Sequence, residues 1–272
     1  FHYKQVLDAT IDPASFGKLR KIMFDIVHAK DPVCEPCGKK DGYYRPIQDL
    51  PQPVIWQNGE SRVDSGILLP FGLRDYVFIY PNTTIVIAGS KSSGKTGFIY
   101  RAIEMNMTHK NVVLLTNLEG GTAQLRDRFT AMNVPNPAPF TVYPVTENFH
   151  DYIKMTHTLY MIDYIDVPEN AEFYLIAPLI GKIQKKVVQL DGTNAIIGLQ
   201  KPPGRDIAYG GATTLKDTTL YLAMDKGKLK IIDAKVPANP TLIPNNMTWK
   251  FRYYDAGTRF EEISKEYGNE EG

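Results

Sequence analysis

Residues Thr83–Arg101 read TTIVIAGSKSSGKTGFIYR, and no other stretch constrains the fold as strongly. The β-branched run Ile85-Val86-Ile87 reads as a buried strand. Gly89-Ser90-Lys91-Ser92-Ser93-Gly94-Lys95-Thr96 follows it, and a helical pattern begins near Gly97. The spacing fits G-x-x-x-x-G-K-[ST] between a strand and a helix. Glycines at these positions let the backbone wrap a phosphate, so that successive N–H groups and the helix N-terminus face it. Lys95 would then reach the β- and γ-phosphates, and Thr96 would offer its hydroxyl to Mg²⁺. The competing reading is a Gly/Ser/Lys-rich surface turn, against which the flanking strand and helix argue.

The chain has 272 residues, enough for one large or two modest domains with a buried core. Its formal net charge of +1 gives no bulk attraction to nucleic acid or to an anionic membrane, so local patches must hold any polyanion. Two cysteines make no disulfide framework, and neither a signal peptide nor an apolar run of transmembrane length is present. A cytoplasmic, intracellular location without membrane partners is therefore expected. The first residue is Phe rather than Met, which points to a longer polypeptide.

Residues 1–50 read as a small α+β domain. Asp12-Pro13 is a helix start, and Phe16, Leu19, Met23, Ile26 and Val27 recur on one face, predicting a helix over 13–28. A turn-rich basic segment, Cys34 to Gly42, then leads to a short strand over 43–47. Helix, hairpin-like loop and strand match the end of a winged-helix module. Cys34 and Cys37 have the spacing of half a zinc site, for which His28 is the nearby candidate third ligand; a plain turn and a site completed by residues outside this sequence are the alternatives. A linker over 51–63 separates this domain from one spanning 64–265, and 266–272 reads as a tail.

In the second domain strand-like and helix-like segments alternate, which predicts an α/β core with a mostly parallel sheet. The expected strands are 76–80, the run 85–87 before the glycine-rich loop, 111–116, 140–145, 158–162 and 195–199, with helices over 121–132 and 179–190. Segments 219–223, 228–234 and 248–254 read as a closing antiparallel set. In such sheets ligands bind beyond the carboxyl ends of the strands, so polar residues there are site candidates. Asp163 ends the apolar run Leu159-Tyr160-Met161-Ile162, the arrangement of a magnesium-binding carboxylate; an acid opening a turn is the alternative. Glu119 follows the strand NVVLLT and is either a base for an attacking water or a helix-start acid. Gln200 follows AIIGL and is either a sensor of the γ-phosphate or a polar strand end.

The series GSKSSGKT, Leu118-Glu119 with Gln124-Leu125 and Arg128, the apolar run into Asp163-Tyr164-Ile165, and Leu199-Gln200 resembles the RecA-like P-loop ATPase domain of DnaB-type replicative helicases over roughly residues 66–262. The resemblance implies ATP and Mg²⁺ as cofactors, Glu119 as catalytic base, Asp163 as the magnesium acid and Gln200 as the coupling residue. It also implies a homo-oligomer, a hexameric ring with ATP between subunits, acting on single-stranded DNA. Lys228–Lys235 (KLKIIDAK) is similar to the family's late strand, whose Lys-x-Arg pair reaches a neighbour's site. Lys235 matches the lysine, but Pro237 stands where the arginine belongs. Arg252 and Arg259 are alternative arginines. Lys201 and Arg205, in KPPGRDIAYGG after Gln200, fall where RecA-like proteins place a DNA-contacting loop; a solvated loop with incidental charge is the alternative. Lys182, Lys185 and Lys186 read as a solvated helix face. Two other functions stay open: a non-translocating ATPase switch such as a loader, regulator or signalling protein, and a recombinase-type filament protein.

Overall fold

Ile85, Val86, Ile87 and Ala88 are all shielded from solvent, yet they divide between two cores. Ile85 and Ile87 join one, Val86 and Ala88 the other. Successive strand residues point to opposite faces, so a strand buried on both must lie inside a layered sheet. The structure, a computed structural model, describes residues 15–37, 42–48, 53, 55–165, 173–254 and 257–267, and the chain divides into two units, Phe1–Gly59 and Glu60–Gly272. The division falls inside the expected 51–63 linker.

The first unit contains α1 (Ser15–Val27) and the antiparallel pair β1 (Cys34–Pro36) and β2 (Tyr44–Pro46). Met23 is buried on the apolar face of α1, with Leu19, Ile26 and Val27 half-buried beside it. The Asp12-Pro13 helix start lies outside the described residues. Cys34, expected in a turn, instead opens β1.

The second unit contains β3 (Thr84–Gly89), α2 (Lys95–Asn106), β4 (Asn111–Thr116), α3 (Gly121–Ala131), β5 (Thr141–Pro144), β6 (Thr158–Ile165), α4 (Ile176–Gln189), β7 (Asn194–Gln200), β8 (Leu220–Asp225), β9 (Lys228–Ala234), β10 (Thr248–Tyr254) and β11 (Arg259–Glu266). Among the described residues these strands form one nine-stranded sheet in the order β11-β10-β9-β8-β3-β7-β6-β4-β5. The six strands from β8 to β5 run parallel, and β9, β10 and β11 extend the sheet antiparallel. Phe98, Ile99 and Ile103 of α2 and Phe129 of α3 cover one face, in the core that holds Ile85 and Ile87. Ile176, Ile180, Ile183 and Val187, at helical spacing on α4, cover the other. The chain is thus α/β with a large, mostly parallel sheet.

Two expectations fail. Tyr76–Tyr80 makes only an isolated antiparallel bridge, Val77 to Pro237, although Val77 and Ile79 are buried. Pro237 has no N–H to donate, so a ladder cannot extend through it. Arg259–Glu266, to which the sequence reading assigns no strand, is the edge strand β11. Its charged and largely exposed residues hide the strand alternation and protect an open edge.

Asn82 closes the sheet at the opposite end from the loop after β3. Its backbone has φ of 62°, a left-handed conformation that asparagine tolerates. Its side-chain amide donates to the carbonyls of Val187 and Leu190 at 2.8 and 2.7 Å, satisfying the C-terminus of α4. Asn82→Ala removes both bonds and strains the turn. It is expected to destabilise the chain by about 1–3 kcal/mol, measured as a lower urea midpoint with an unchanged slope.

Candidate functional site

Gly89 ends β3, and residues 90–94 turn the chain into α2, which starts at Lys95. The first N–H groups of a helix have no partner within it and carry the positive end of its dipole. Gly94 makes the entry turn with φ of 95°, a conformation costly for any residue with a Cβ. The loop is braced from the far end of the chain. The Tyr253 hydroxyl donates to the Ser92 carbonyl at 2.7 Å. A Cβ on Gly97 would lie 1.7 Å from the Gly257 carbonyl oxygen, so Gly257 lies directly against α2.

Parallel pairing carries the other strand ends to the same edge. Gly89 is in register with Gln200, and Thr116 with Asp163. An open cleft of about 840 Å³ lies along this edge, within the size range of small-molecule sites. The 89–97 segment, Glu119, Arg128, Asp163, Gln200 and Tyr253 line it. The Thr96 hydroxyl donates to Asp163 Oδ1 at 3.2 Å, and the Lys95 ammonium lies 4.0 Å from the centre of the Tyr164 ring. Burial pushes the Asp163 carboxyl above its usual range. Lys95, the Thr96 hydroxyl and Arg128 oppose that shift, while Glu119 adds to it. Glu119 is exposed beyond β4, where its N–H donates to Asn117 Oδ1 at 3.1 Å. Gln200 is half-buried at the end of β7.

This arrangement fits a polyphosphate with a hard divalent cation. Thr96 and Asp163 present adjacent oxygen donors of the type magnesium takes. Lys91, Lys95 and Arg128 outnumber the acids Glu119 and Asp163 around the cleft. The Ser93 hydroxyl is buried in the loop without a hydrogen-bond partner.

The structure thus brings Gly89–Gly97, Glu119, Asp163 and Gln200 together and leaves other candidates apart. Lys201 is corrected as a nucleic-acid contact: its side chain is 0% exposed and forms an ion pair with Asp225 at 2.7 Å. Arg205 is exposed in the same loop. Lys235 is exposed and donates to the Lys216 carbonyl at 3.0 Å, away from the cleft lining, and Arg252 and Arg259 are exposed and also absent from that lining. Lys182, Lys185 and Lys186 are exposed on α4, as expected of a solvated face. In the first unit Cys34 and Cys37 are unbonded, and among the described residues no group of three or more His, Cys, Asp or Glu could hold a metal ion. His28 instead stacks on Phe24, with Nδ1 2.8 Å from the Phe24 carbonyl oxygen.

Tyr253 and Asp225 escaped the sequence reading, and Arg128 entered it only as a motif position. Asp225 ends the apolar run LYLAM much as Asp163 ends LYMI, so a signal was present. Arg128 lines the cleft with Nε buried and lacking a hydrogen-bond partner. Among the described residues no helix is long and apolar enough to cross a membrane. No protein-family model matches the chain, and no curated protein is significantly similar to it.

A carboxyl whose folded-state pKa is raised above 3.8 contributes its stability at low pH and loses it as pH rises through the folded value. Asp163→Asn is therefore expected to raise the thermal midpoint of the nucleotide- and metal-free protein at neutral pH. The advantage over wild type should shrink to nothing below about pH 4. Equal midpoints at pH 7 would contradict the burial of this charge.

Proposed function

We propose that the chain is a magnesium-dependent, DnaB-like ATPase with a RecA-like core that acts on single-stranded DNA as a helicase or translocase. The observation that carries this reading is the contact of Thr96 with Asp163 at the head of α2, with Glu119 and Gln200 opening onto the same cleft. Residues Gly89–Gly97 hold the phosphates through backbone N–H groups, and Lys95 reaches the β- and γ-oxygens. Thr96 and Asp163 would hold magnesium, which would supply neutralisation of phosphate charge. Glu119 orients a water and accepts its proton as the water oxygen bonds to the γ-phosphorus. The bond from that phosphorus to the bridging oxygen breaks, and Lys95 stabilises the charge left on the diphosphate. Gln200, whose backbone pairs with Gly89, reports the presence of the γ-phosphate to the loop that follows it.

Turnover in this class uses a cation supplied across a subunit interface, which motivates a homo-oligomeric ring with Lys235 as the group in trans. Two observations favour a second reading, a nucleotide-gated switch that does not translocate. Pro237 occupies the expected arginine position, and burial of Lys201 leaves Arg205 as the exposed member of the two DNA candidates.

Lys95→Ala is expected to abolish binding of ATP with magnesium, measured by calorimetry. Glu119→Gln should keep that binding while turnover falls by about 10²–10⁴-fold. ATPase rates with and without single-stranded DNA, alongside the solution mass in ATP, separate the two readings. Stimulation by DNA in a six-fold ring supports the motor. A nucleotide-bound monomer indifferent to DNA supports the switch.

A further inference from the structure

Lys201 is the chemically unexpected residue of the second unit, a lysine with a side chain 0% exposed. A buried ammonium is costly unless its donors are matched, and here all three are. Nζ donates to Asp225 Oδ1 and Oδ2, each at 2.7 Å, and to the Arg205 carbonyl at 2.5 Å. Asp225 Oδ1 also accepts from the Ser90 hydroxyl at 2.9 Å. The backbone repeats the connection: the Lys201 N–H donates to the Gly89 carbonyl at 3.1 Å, and the Ser90 N–H to the Met224 carbonyl at 3.2 Å. One continuous set of charge-assisted bonds thus runs from the first residues of the 89–97 loop, through the ends of β8 and β7, to the loop after Gln200.

We propose that Lys201 and Asp225 are positioning residues that fix Ser90 and thereby make the 202–210 loop respond to the phosphates held by the 89–97 loop. The inference rests on the phosphate-site reading above. Asp225 cannot follow a shift of Ser90 without altering its hold on Lys201, and Lys201 cannot move without releasing the Arg205 carbonyl, because leaving the buried ammonium unmatched is the expensive alternative. The 202–210 loop is tied to the sheet at few other points: Ala208 N–H to the Tyr221 hydroxyl at 2.9 Å, Tyr209 N–H to the Gln200 carbonyl at 3.1 Å, and Asp206 to Lys230 at 2.9 Å. Release of Arg205 therefore frees the segment that presents its side chain to solvent.

The test is amide hydrogen exchange of the full chain, followed in peptides over residues 204–210, with and without a non-hydrolysable ATP analogue and magnesium. In wild type the analogue is expected to change exchange in this loop by about tenfold, the scale of an ordinary coupling between two sites. Lys201→Met, which matches the side chain in length without its charge, should abolish the response while nucleotide still binds. Ser90→Ala leaves the buried ion pair intact and guards against misfolding of the first variant. With binding of the analogue by this variant verified by calorimetry, the loop should again lose the response. Nucleotide binding by wild type with no change in the loop, or an equal change in wild type and both variants, overturns the inference and leaves the phosphate site standing. Failure of wild type to bind the analogue at all overturns both.

Discussion

Parallel pairing of β3 with β7 on one side and β8 on the other is the constraint on which the rest depends. Parallel strands end at one edge, so Gly89, Gln200 and Asp225 cannot be kept apart, and β6 brings Asp163 to the same edge. The helices that return the chain cover the two faces of the sheet and leave the edge open. A cleft there is a consequence of topology, and its chemistry follows from the residues at the strand ends.

That edge carries two charges withdrawn from water, and the fold treats them differently. Lys201 has a carboxylate and a carbonyl within bonding distance, so its three donors are matched inside the protein. Asp163 accepts from the Thr96 hydroxyl at 3.2 Å and is offset electrostatically by Lys95 and Arg128. Burial outweighs these contributions and holds the carboxyl above its usual range. The first charge serves architecture, and the second lines the open cleft. Both stand after apolar strands, and sequence alone does not distinguish them.

Legibility followed the same physics. The strands buried on both faces were plain, because runs such as IVIA, VVLL and LYMI have no other comfortable environment. The residues that close them, Glu119, Asp163 and Gln200, could be named from position in the chain, and they do meet at one cleft. Lys201 could not be read correctly. Its burial depends on Asp225, a partner 24 positions away, and on the sheet order that makes β7 and β8 flank β3. Tyr76–Tyr80 misled for the opposite reason: its composition is that of a strand, but the segment it meets carries a proline where the ladder would continue. Arg259–Glu266 was obscured by charges that an edge strand can afford and an inner strand cannot.

The brace across the 89–97 loop is also a statement about when the site comes into being. Tyr253 reaches Ser92 from 161 positions further along the chain, and Gly257 lies against Gly97. During synthesis the glycine-rich loop leaves the ribosome long before β10 and β11, and until those strands are laid down it lacks its contacts with Tyr253 and Gly257. The braced loop is thus among the last parts of the second unit to mature, although its own residues are among the first of that unit's strands and helices to be made.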